Sequence, residues 1–180
     1  MTAFTLRPAT PADAPAIEAL IARSVHGLQA QDYTQAQRDA AVGQVFLVDH
    51  GLIADRTYFV IEAADGRLAA AGGWSTRQAS HGGHVHKDDG SRIDPATDPA
   101  RIRAFFVDPD FARRGLGTRL LTACEDAARH AGFRTAMMGA TLTGVPLYSA
   151  HGYREYDREE APLPGGGSLT VVLMRKALNG

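Results

Sequence analysis

The stretch RAFFVDPDFARRGLGT, at residues 103–118, carries the strongest structural signal in this chain. Its apolar start predicts a strand, its Asp-Pro step predicts a turn, and a basic loop with two glycines leads into a predicted amphipathic helix. A strand, loop and helix in this order direct unpaired backbone N–H groups and positive charge at one point. Glycines at 115 and 117 lack a Cβ, so a ligand can approach the backbone closely. We therefore expect a phosphate-bearing ligand at the start of this helix.

The loop fits neither of two familiar nucleotide-binding motifs. Its G-x-G spacing is an incomplete dinucleotide motif, and Gly139 and Ala140, about twenty residues on, offer no acidic partner for a ribose. The Walker motif would place a lysine directly before Thr118. Arg113 and Arg114 instead supply forked donors that suit phosphate oxygens. The alternative is an ordinary strand, turn and helix joined by a solvated basic loop.

The overall composition indicates a soluble globular protein. The chain has 180 residues, of which 44% are hydrophobic and 22% charged, and this length predicts a single domain over residues 1–180. A net charge of −1 argues against a strongly basic surface for nucleic acid. The sequence has neither the apolar core of a signal peptide nor a long apolar run that would span a membrane. We expect a cytoplasmic protein with no nucleic-acid or membrane partner.

Cysteine and histidine give little support for a metal site. Cys124 is the only cysteine, which excludes an intrachain disulfide and a multi-cysteine zinc site, and its place in a predicted helix favours a small buried residue. His81, His84 and His86 are spaced H-x2-H-x-H, which matches no metal-binding template. We expect no metal and interpret these histidines as part of a polar loop, although one of them could supply a catalytic base.

Hydrophobic periodicity and turn residues predict a mixture of helices and strands. Strands are predicted at residues 4–7, 57–64, 67–75, 101–107, 134–142, 153–160 and 168–176. Helices are predicted from a cap at 10–13 to about Gln29, from Thr34 to about Val48, at 114–130 and at 144–151. A long loop is predicted over residues 76–100. This order indicates an α/β or α+β sheet with helices on both faces.

Three segments in this order resemble the GCN5-related N-acetyltransferase (GNAT) superfamily over nearly the whole chain. LRPATPAD at 6–13 is similar to the first strand and turn of that family, and VDPDFARRGLG at 107–117 is similar to its acetyl-CoA motif. LYSAHGY at 147–153 is similar to the later signature, in which a tyrosine, a short helical spacer, a glycine and an aromatic residue follow one another. The resemblance implies a mixed, mostly antiparallel sheet of about six to seven strands with helices on both faces.

The resemblance also implies acetyl-CoA as co-substrate. Backbone groups of Phe106 and Val107 would pair with the pantetheine arm, and those from Arg113 to Thr118 would hold the pyrophosphate. Thr141 stands where the family often has an asparagine. The implied cofactor-binding residues are Phe106, Val107, Arg113, Arg114, Gly115, Leu116, Gly117, Thr118 and Thr141.

Tyr148 is the implied catalytic residue, because it would give a proton to the departing CoA thiolate. A phenol is protonated at neutral pH and can supply that proton. Without the surrounding motif, the simpler interpretation would be a core tyrosine with a satisfied hydroxyl.

The acceptor side is harder to interpret, because arginines stand where the family often has Glu or His. Strand alternation predicts one face with Arg101, Arg103, Phe105 and Val107. Arginine cannot act as a base, but Arg101 and Arg103 would suit a carboxylate or phosphate of the substrate. Ion pairs with Asp94 or Asp98 are the alternative. Glu62 on the second strand is a further candidate for acceptor contact or for the base.

Together these patterns predict an acetyl-CoA-dependent N-acetyltransferase. It would move an acetyl group to a primary amine of a small molecule or peptide by direct attack in a ternary complex. The alternative is a catalytically silent CoA-binding sensor or interaction module, and a nucleotide-binding protein ranks third. A homodimer is possible for a protein of this kind.

Overall fold

The computed structural model describes residues 3–78 and 91–178. Its strands are β1 (Phe4–Pro8), β2 (Tyr58–Ala63), β3 (Leu68–Ser75), β4 (Ala100–Val107), β5 (Thr135–Thr141), β6 (Arg154–Pro162) and β7 (Ser168–Ala177). Its helices are α1 (Ala14–Leu28), α2 (Gln35–Ala41), α3 (His50–Ala54), α4 (Leu116–His130) and α5 (Val145–Ala150), with single 3₁₀ turns at Pro11–Asp13 and Pro109–Phe111.

All seven strands form one sheet in the order β1-β2-β3-β4-β5-β7-β6. Helix α1 packs on β3 and β4 from one face, and α4 packs on β2, β3 and β4 from the other. The sheet is mixed and mostly antiparallel, which confirms the predicted fold class.

An opening in the middle of the sheet is the feature that positions the site. β4 and β5 are the only parallel neighbours among the described strands, and they pair only at Ala100 with Ala136 and at Arg101 with Met137. Beyond these pairs the two strands separate. The gap exposes backbone of β4 that a neighbouring strand would otherwise cover.

A β-bulge in β4 overturns the predicted alternation of its side chains. Gly73 pairs with Arg103 and Ala71 with Phe106, so the two residues at 104 and 105 lie opposite Gly72. Ala104 takes up the extra length with a φ of 57°, in the left-handed region. A side chain that follows the bulge therefore changes face relative to a regular strand.

Because of the bulge, side chains predicted to share one face of β4 lie on opposite faces of the sheet. Arg103 lies on the side of α3, whereas Phe105 and Val107 pack with the core under α4. The prediction that these three share a face was therefore wrong. The ring of Phe105 covers Gly72, where a Cβ would lie only 2.7 Å from a ring atom, so the glycine makes the bulge possible.

The segment after α1 differs from the single helix predicted between Thr34 and Val48. Thr34 caps α2 as expected, since its Oγ1 accepts from the Gln37 N–H at 3.1 Å. The helix ends at Ala41 because Val42 is extended and Gly43 has a φ of 77°. The chain then crosses toward the gap in the sheet before α3 begins at His50.

His81, His84 and His86 lie outside the described residues. Within residues 3–78 and 91–178, no group of three or more His, Cys, Asp or Glu side chains could hold a metal ion. None of the helices in those two ranges is both long and apolar enough to cross a membrane.

Candidate active site

A cavity of about 330 Å³ lies where β4 and β5 separate. It is lined by the segment that leads into α3 (residues 45–50), the middle of β4 (102–106), the end of β5 (138–141) and the ring of Tyr148 on α5. The structure thus brings together four of the predicted site residues, Arg103, Phe106, Thr141 and Tyr148.

Tyr148 is held in the cavity wall by aromatic packing. Its ring meets those of Phe105 and Tyr153 edge-on, each at a centroid distance of 6.1 Å. Burial raises the pKa of the Tyr148 hydroxyl above its ordinary value of 10. The phenol therefore keeps its proton at physiological pH and can donate it.

Short-range contacts at the start of α5 fix the position of Tyr148. Thr141 Oγ1 accepts from the Gly144 N–H at 3.1 Å, which closes the turn between β5 and α5. A Cβ on Gly144 would lie 2.8 Å from the Tyr148 ring, so only glycine leaves room for the ring there. Thr141 has its hydroxyl proton left to donate into the cavity.

The basic loop before α4 is an exposed concave backbone. Arg113 and Gly115 both adopt the left-handed region, with φ of 64° and 75°. A Cβ on Gly115 would meet no atom within 4 Å, and Arg113 and Arg114 are exposed. The first N–H groups of α4, from Leu116 on, have no partner within the helix. Such a backbone concavity with two flexible cations fits a diphosphate group.

Gly117 also has a packing role that the sequence did not indicate. A Cβ at this position would lie 2.9 Å from Leu147 Cδ2, so the residue faces α5 rather than open solvent. Its small size allows α4 to approach the helix that carries Tyr148.

Hydrogen bonds at Val107, Asp108 and Thr118 fix the loop between β4 and α4 and the elements on either side of it. The Asp108 carboxylate is 1% exposed and accepts from Arg23 Nε and from the Asp110 N–H, both at 2.9 Å. On the edge of β4, the Val107 N–H donates to Ser24 Oγ at 3.2 Å. The Thr118 hydroxyl lies 3.0 Å from His151 Nε2, which joins α4 to the end of α5.

The acceptor side of the cavity contains an ion pair that the sequence did not reveal. Arg103 Nη2 lies 2.8 Å from Asp49 Oδ2, and both side chains are largely buried. The other Asp49 oxygen accepts from the Leu52 N–H at 3.0 Å and caps α3. His50 follows as the first residue of that helix and lines the cavity. An Asp before a short apolar run was the only signal, and it indicated a helix cap rather than a site.

Arg101 and Glu62 do not line this cavity. Arg101 Nη1 contacts Met137 Sδ, and burial lowers the pKa of the guanidinium from its ordinary value. Glu62 Oε2 accepts from Arg7 Nη2 at 2.9 Å, on the outer strands of the sheet. The structure therefore separates both residues from Tyr148 and leaves Arg103 as the predicted arginine that faces the acceptor side.

Solved structures share this architecture over almost their whole length. A GCN5-related N-acetyltransferase from Rhodopseudomonas palustris aligns with a TM-score of 0.73 at 23% identity, covering 98% of this chain and 97% of that one. The PaiA N-acetyltransferase of Thermoplasma acidophilum, solved with coenzyme A, gives 0.69 at 13% identity and coverages of 97% and 99%. The putative acetyltransferase YncA of Salmonella typhimurium, solved with acetyl-CoA, gives 0.64 at 18% identity and coverages of 99% and 95%. Identities this low establish the fold alone.

No curated protein matches this chain in sequence. The family model described as Acetyltransferase (GNAT) family matches residues 22–153, which include the end of α1, the opening between β4 and β5, the basic loop and Tyr148. This match covers more than half of the chain and confirms the resemblance seen in its motifs. The chain therefore belongs to the GNAT family of acetyltransferases.

Proposed function

We propose that this protein transfers the acetyl group of acetyl-CoA to a primary amine of a small molecule or peptide, by direct attack in a ternary complex. The observation that carries this proposal is the cavity between β4 and β5, with Tyr148 in its wall. Cys124 is fully buried and burial raises the pKa of its thiol, so nothing favours an acyl-cysteine route.

The donor is held by backbone groups in this proposal. N–H groups from Arg113 to Thr118 bind the pyrophosphate. The exposed guanidinium groups of Arg113 and Arg114 add positive charge on its solvent side. With the proton on His151 Nε2, the histidine donates to Thr118 and leaves the hydroxyl proton for a phosphate oxygen. The free edge of β4 at Phe106 and Val107 pairs with the pantetheine arm, which displaces Ser24 from the Val107 N–H.

Two atoms of the thioester gain negative charge during the reaction, the carbonyl oxygen and the sulfur, and β4 and Tyr148 act on them. Acetyl-CoA supplies an activated thioester. A backbone N–H near Val107 stabilises the oxygen of the attacked carbonyl. The Tyr148 phenol gives its proton to the sulfur as the carbon–sulfur bond breaks. Thr141 in the same wall accepts from the Gly144 N–H and keeps its own hydroxyl proton for the bound donor.

Arg103 gives the acceptor site a preference in this proposal. Asp49 occupies Nη2 of its guanidinium, and the remaining N–H groups are free to bind an anionic group of the acceptor. The apolar neighbours Phe46 and Met138 suit a carbon body between that group and the amine. The preferred acceptor therefore carries a carboxylate or phosphate as well as an amine.

The test is thiol release from acetyl-CoA across a panel of primary amines in matched pairs, with and without a carboxylate. We expect amine-dependent release, with a lower KM for the carboxylate member of each pair. Thermal unfolding provides a second readout, since acetyl-CoA should raise the Tm while ATP and NAD do not. Stabilisation without turnover of any amine would favour a silent CoA-binding module. No stabilisation by acetyl-CoA would contradict both functions.

A further inference from the structure

The cavity contains a second group suited to proton transfer, opposite in function to Tyr148. The attacking nitrogen must lose a proton, so a base or a water relay has to take it. Among the described residues that line the cavity, the side chains that can ionise are Asp49, His50, Arg103 and Tyr148. Within residues 3–78 and 91–178, these four are the candidates for a base that contacts the amine directly.

Three of these four side chains are poor candidates for the base. Arg103 stays protonated. Tyr148 keeps its proton because burial raises its pKa, and it serves as the acid. Asp49 uses one oxygen for Arg103 and the other for the Leu52 N–H. Both oxygens of this carboxylate therefore already have partners in the fold.

His50 is the remaining group. Imidazole is the side chain that most often transfers protons in enzyme active sites. Its residue is exposed, and its position is set by the two bonds of the preceding Asp49, which tie the start of α3 to β4. This anchoring fixes the backbone at His50 beside the cavity.

We propose that His50 is the general base that takes the proton from the acceptor amine, an inference that rests on the proposed acetyl transfer. The nitrogen lone pair forms the new carbon–nitrogen bond while the carbon–sulfur bond breaks and its electron pair passes to sulfur. The amine proton moves to the imidazole, and the Tyr148 proton moves to sulfur. The imidazole then releases its proton to solvent, and the Tyr148 phenolate takes up a proton from solvent. The net products are the amide and the free thiol.

The charged groups around α3 suit this role. Arg103 on β4 is neutralised by Asp49, the cap of the helix. Asp13, in the 3₁₀ turn before α1, is neutralised by Arg7, whose Nη1 lies 2.8 Å from the Asp13 Oδ2. At the far end of α3, Asp55 pairs with Arg77 at 2.6 Å. The carboxylates nearest His50 along the helix are thus paired, and the imidazole is the group left to exchange protons with the amine.

The test compares His50→Ala and His50→Gln with the wild-type protein, using an amine identified in the panel. His130→Ala is the matched control, because His130 is exposed on the last turn of α4, away from the cavity. We expect kcat at pH 7 to fall by about 100-fold in both His50 variants and to stay unchanged in the control. Added imidazole should restore part of the rate of His50→Ala.

The outcomes separate this inference from the function on which it rests. A wild-type protein that acetylates no amine contradicts the proposed function, whatever the state of His50. A wild-type protein that is active, with His50 variants that keep its kcat, overturns the base. A rate loss that added imidazole does not relieve also overturns it, because that pattern shows a structural role. Binding of acetyl-CoA, measured by the shift in Tm, should be the same in all of these proteins.

Discussion

Burial keeps the Tyr148 phenol protonated, so that it can give its proton to a leaving group. Because burial raises the pKa of the phenol, the neutral form persists to higher pH than for an exposed tyrosine. Replacing Tyr148 with phenylalanine should lower kcat by about 100-fold while leaving the affinity for acetyl-CoA nearly unchanged. Steady-state thiol release and a Tm shift with acetyl-CoA measure the two effects.

The control for this variant is Tyr153→Phe, which removes a hydroxyl from the neighbouring ring outside the cavity wall. The wild-type rate should also show no alkaline loss below about pH 9, since the acid is still protonated there. Equal rates for Tyr148→Phe and the wild-type protein would remove the phenol from the mechanism.

Asp13 gives a residue-specific prediction for acid stability. The hydrogen bond from Arg7 holds the pKa of Asp13 at about 2, below its ordinary 3.8. A depressed carboxylate pKa stabilises the fold above pH 3.8, and this stabilisation is lost as the pH falls toward 2. Solvent screening reduces the effect to about 1 kcal/mol.

The variant Asp13→Asn should therefore lower the free energy of unfolding by about 1 kcal/mol at pH 7. The difference from the wild-type protein should shrink as the pH falls from 5 to 3, because the Asp13 carboxylate takes up its proton near pH 3.8 in the unfolded chain but only near pH 2 in the folded protein. Denaturant unfolding at each pH measures this. Asp65→Asn is the control, since Asp65 is an exposed residue of a hairpin turn. A difference that stays constant with pH would show that the charge of Asp13 is unimportant.

The contact between α4 and α5 depends on the absence of one side chain. A Cβ at position 117 would lie 2.9 Å from Leu147. In Gly117→Ala, the gain in helix propensity of about 1 kcal/mol opposes an overpacking cost of about 1–3 kcal/mol. We expect a net loss of stability together with a lower kcat, because α5 carries Tyr148 and must move.

Two further variants make this prediction specific. Gly115→Ala meets no neighbouring atom, so its cost of about 1–2 kcal/mol comes from the left-handed backbone alone and should not alter kcat through Tyr148. Leu147→Ala in the Gly117→Ala background should recover part of the lost kcat, because it removes the clashing methyl groups. An unchanged kcat in Gly117→Ala would show that α5 does not couple to α4 at this point.

Sequence motifs predicted the elements of the donor side better than those of the acceptor side. The strand, loop and helix at 103–118 and the tyrosine on α5 are local patterns, so residues close in sequence define them. The bulge at Ala104 was not predictable, because alanine rarely adopts a positive φ and the compensating glycine, Gly72, is distant in sequence. The ion pair between Asp49 and Arg103 was missed for the same reason, since only the folded sheet brings α3 to β4.

The opening in the sheet is bounded by different contacts at its two ends. One end of the opening is closed by the two residue pairs between β4 and β5. Near the other end, Tyr33 Oη donates to the Thr170 carbonyl at 2.7 Å and accepts from the Leu142 N–H at 2.9 Å. The phenol thus ties the connection between α1 and α2 to β7 and to the end of β5. Its position sets how widely the cavity can open.

Tyr33→Phe should therefore loosen the far end of the opening. The variant leaves two largely buried backbone groups without their partner, which costs about 1–3 kcal/mol in the free energy of unfolding. Because the contact closes one end of the cavity, exchange of the Leu142 amide should become faster and acetyl-CoA should bind more weakly. Tyr156→Phe, on the exposed strand β6, is the matched control and should change none of these quantities. If Tyr33→Phe loses stability while Leu142 exchange and acetyl-CoA affinity stay at wild-type values, the opening is held by β4 and β5 alone.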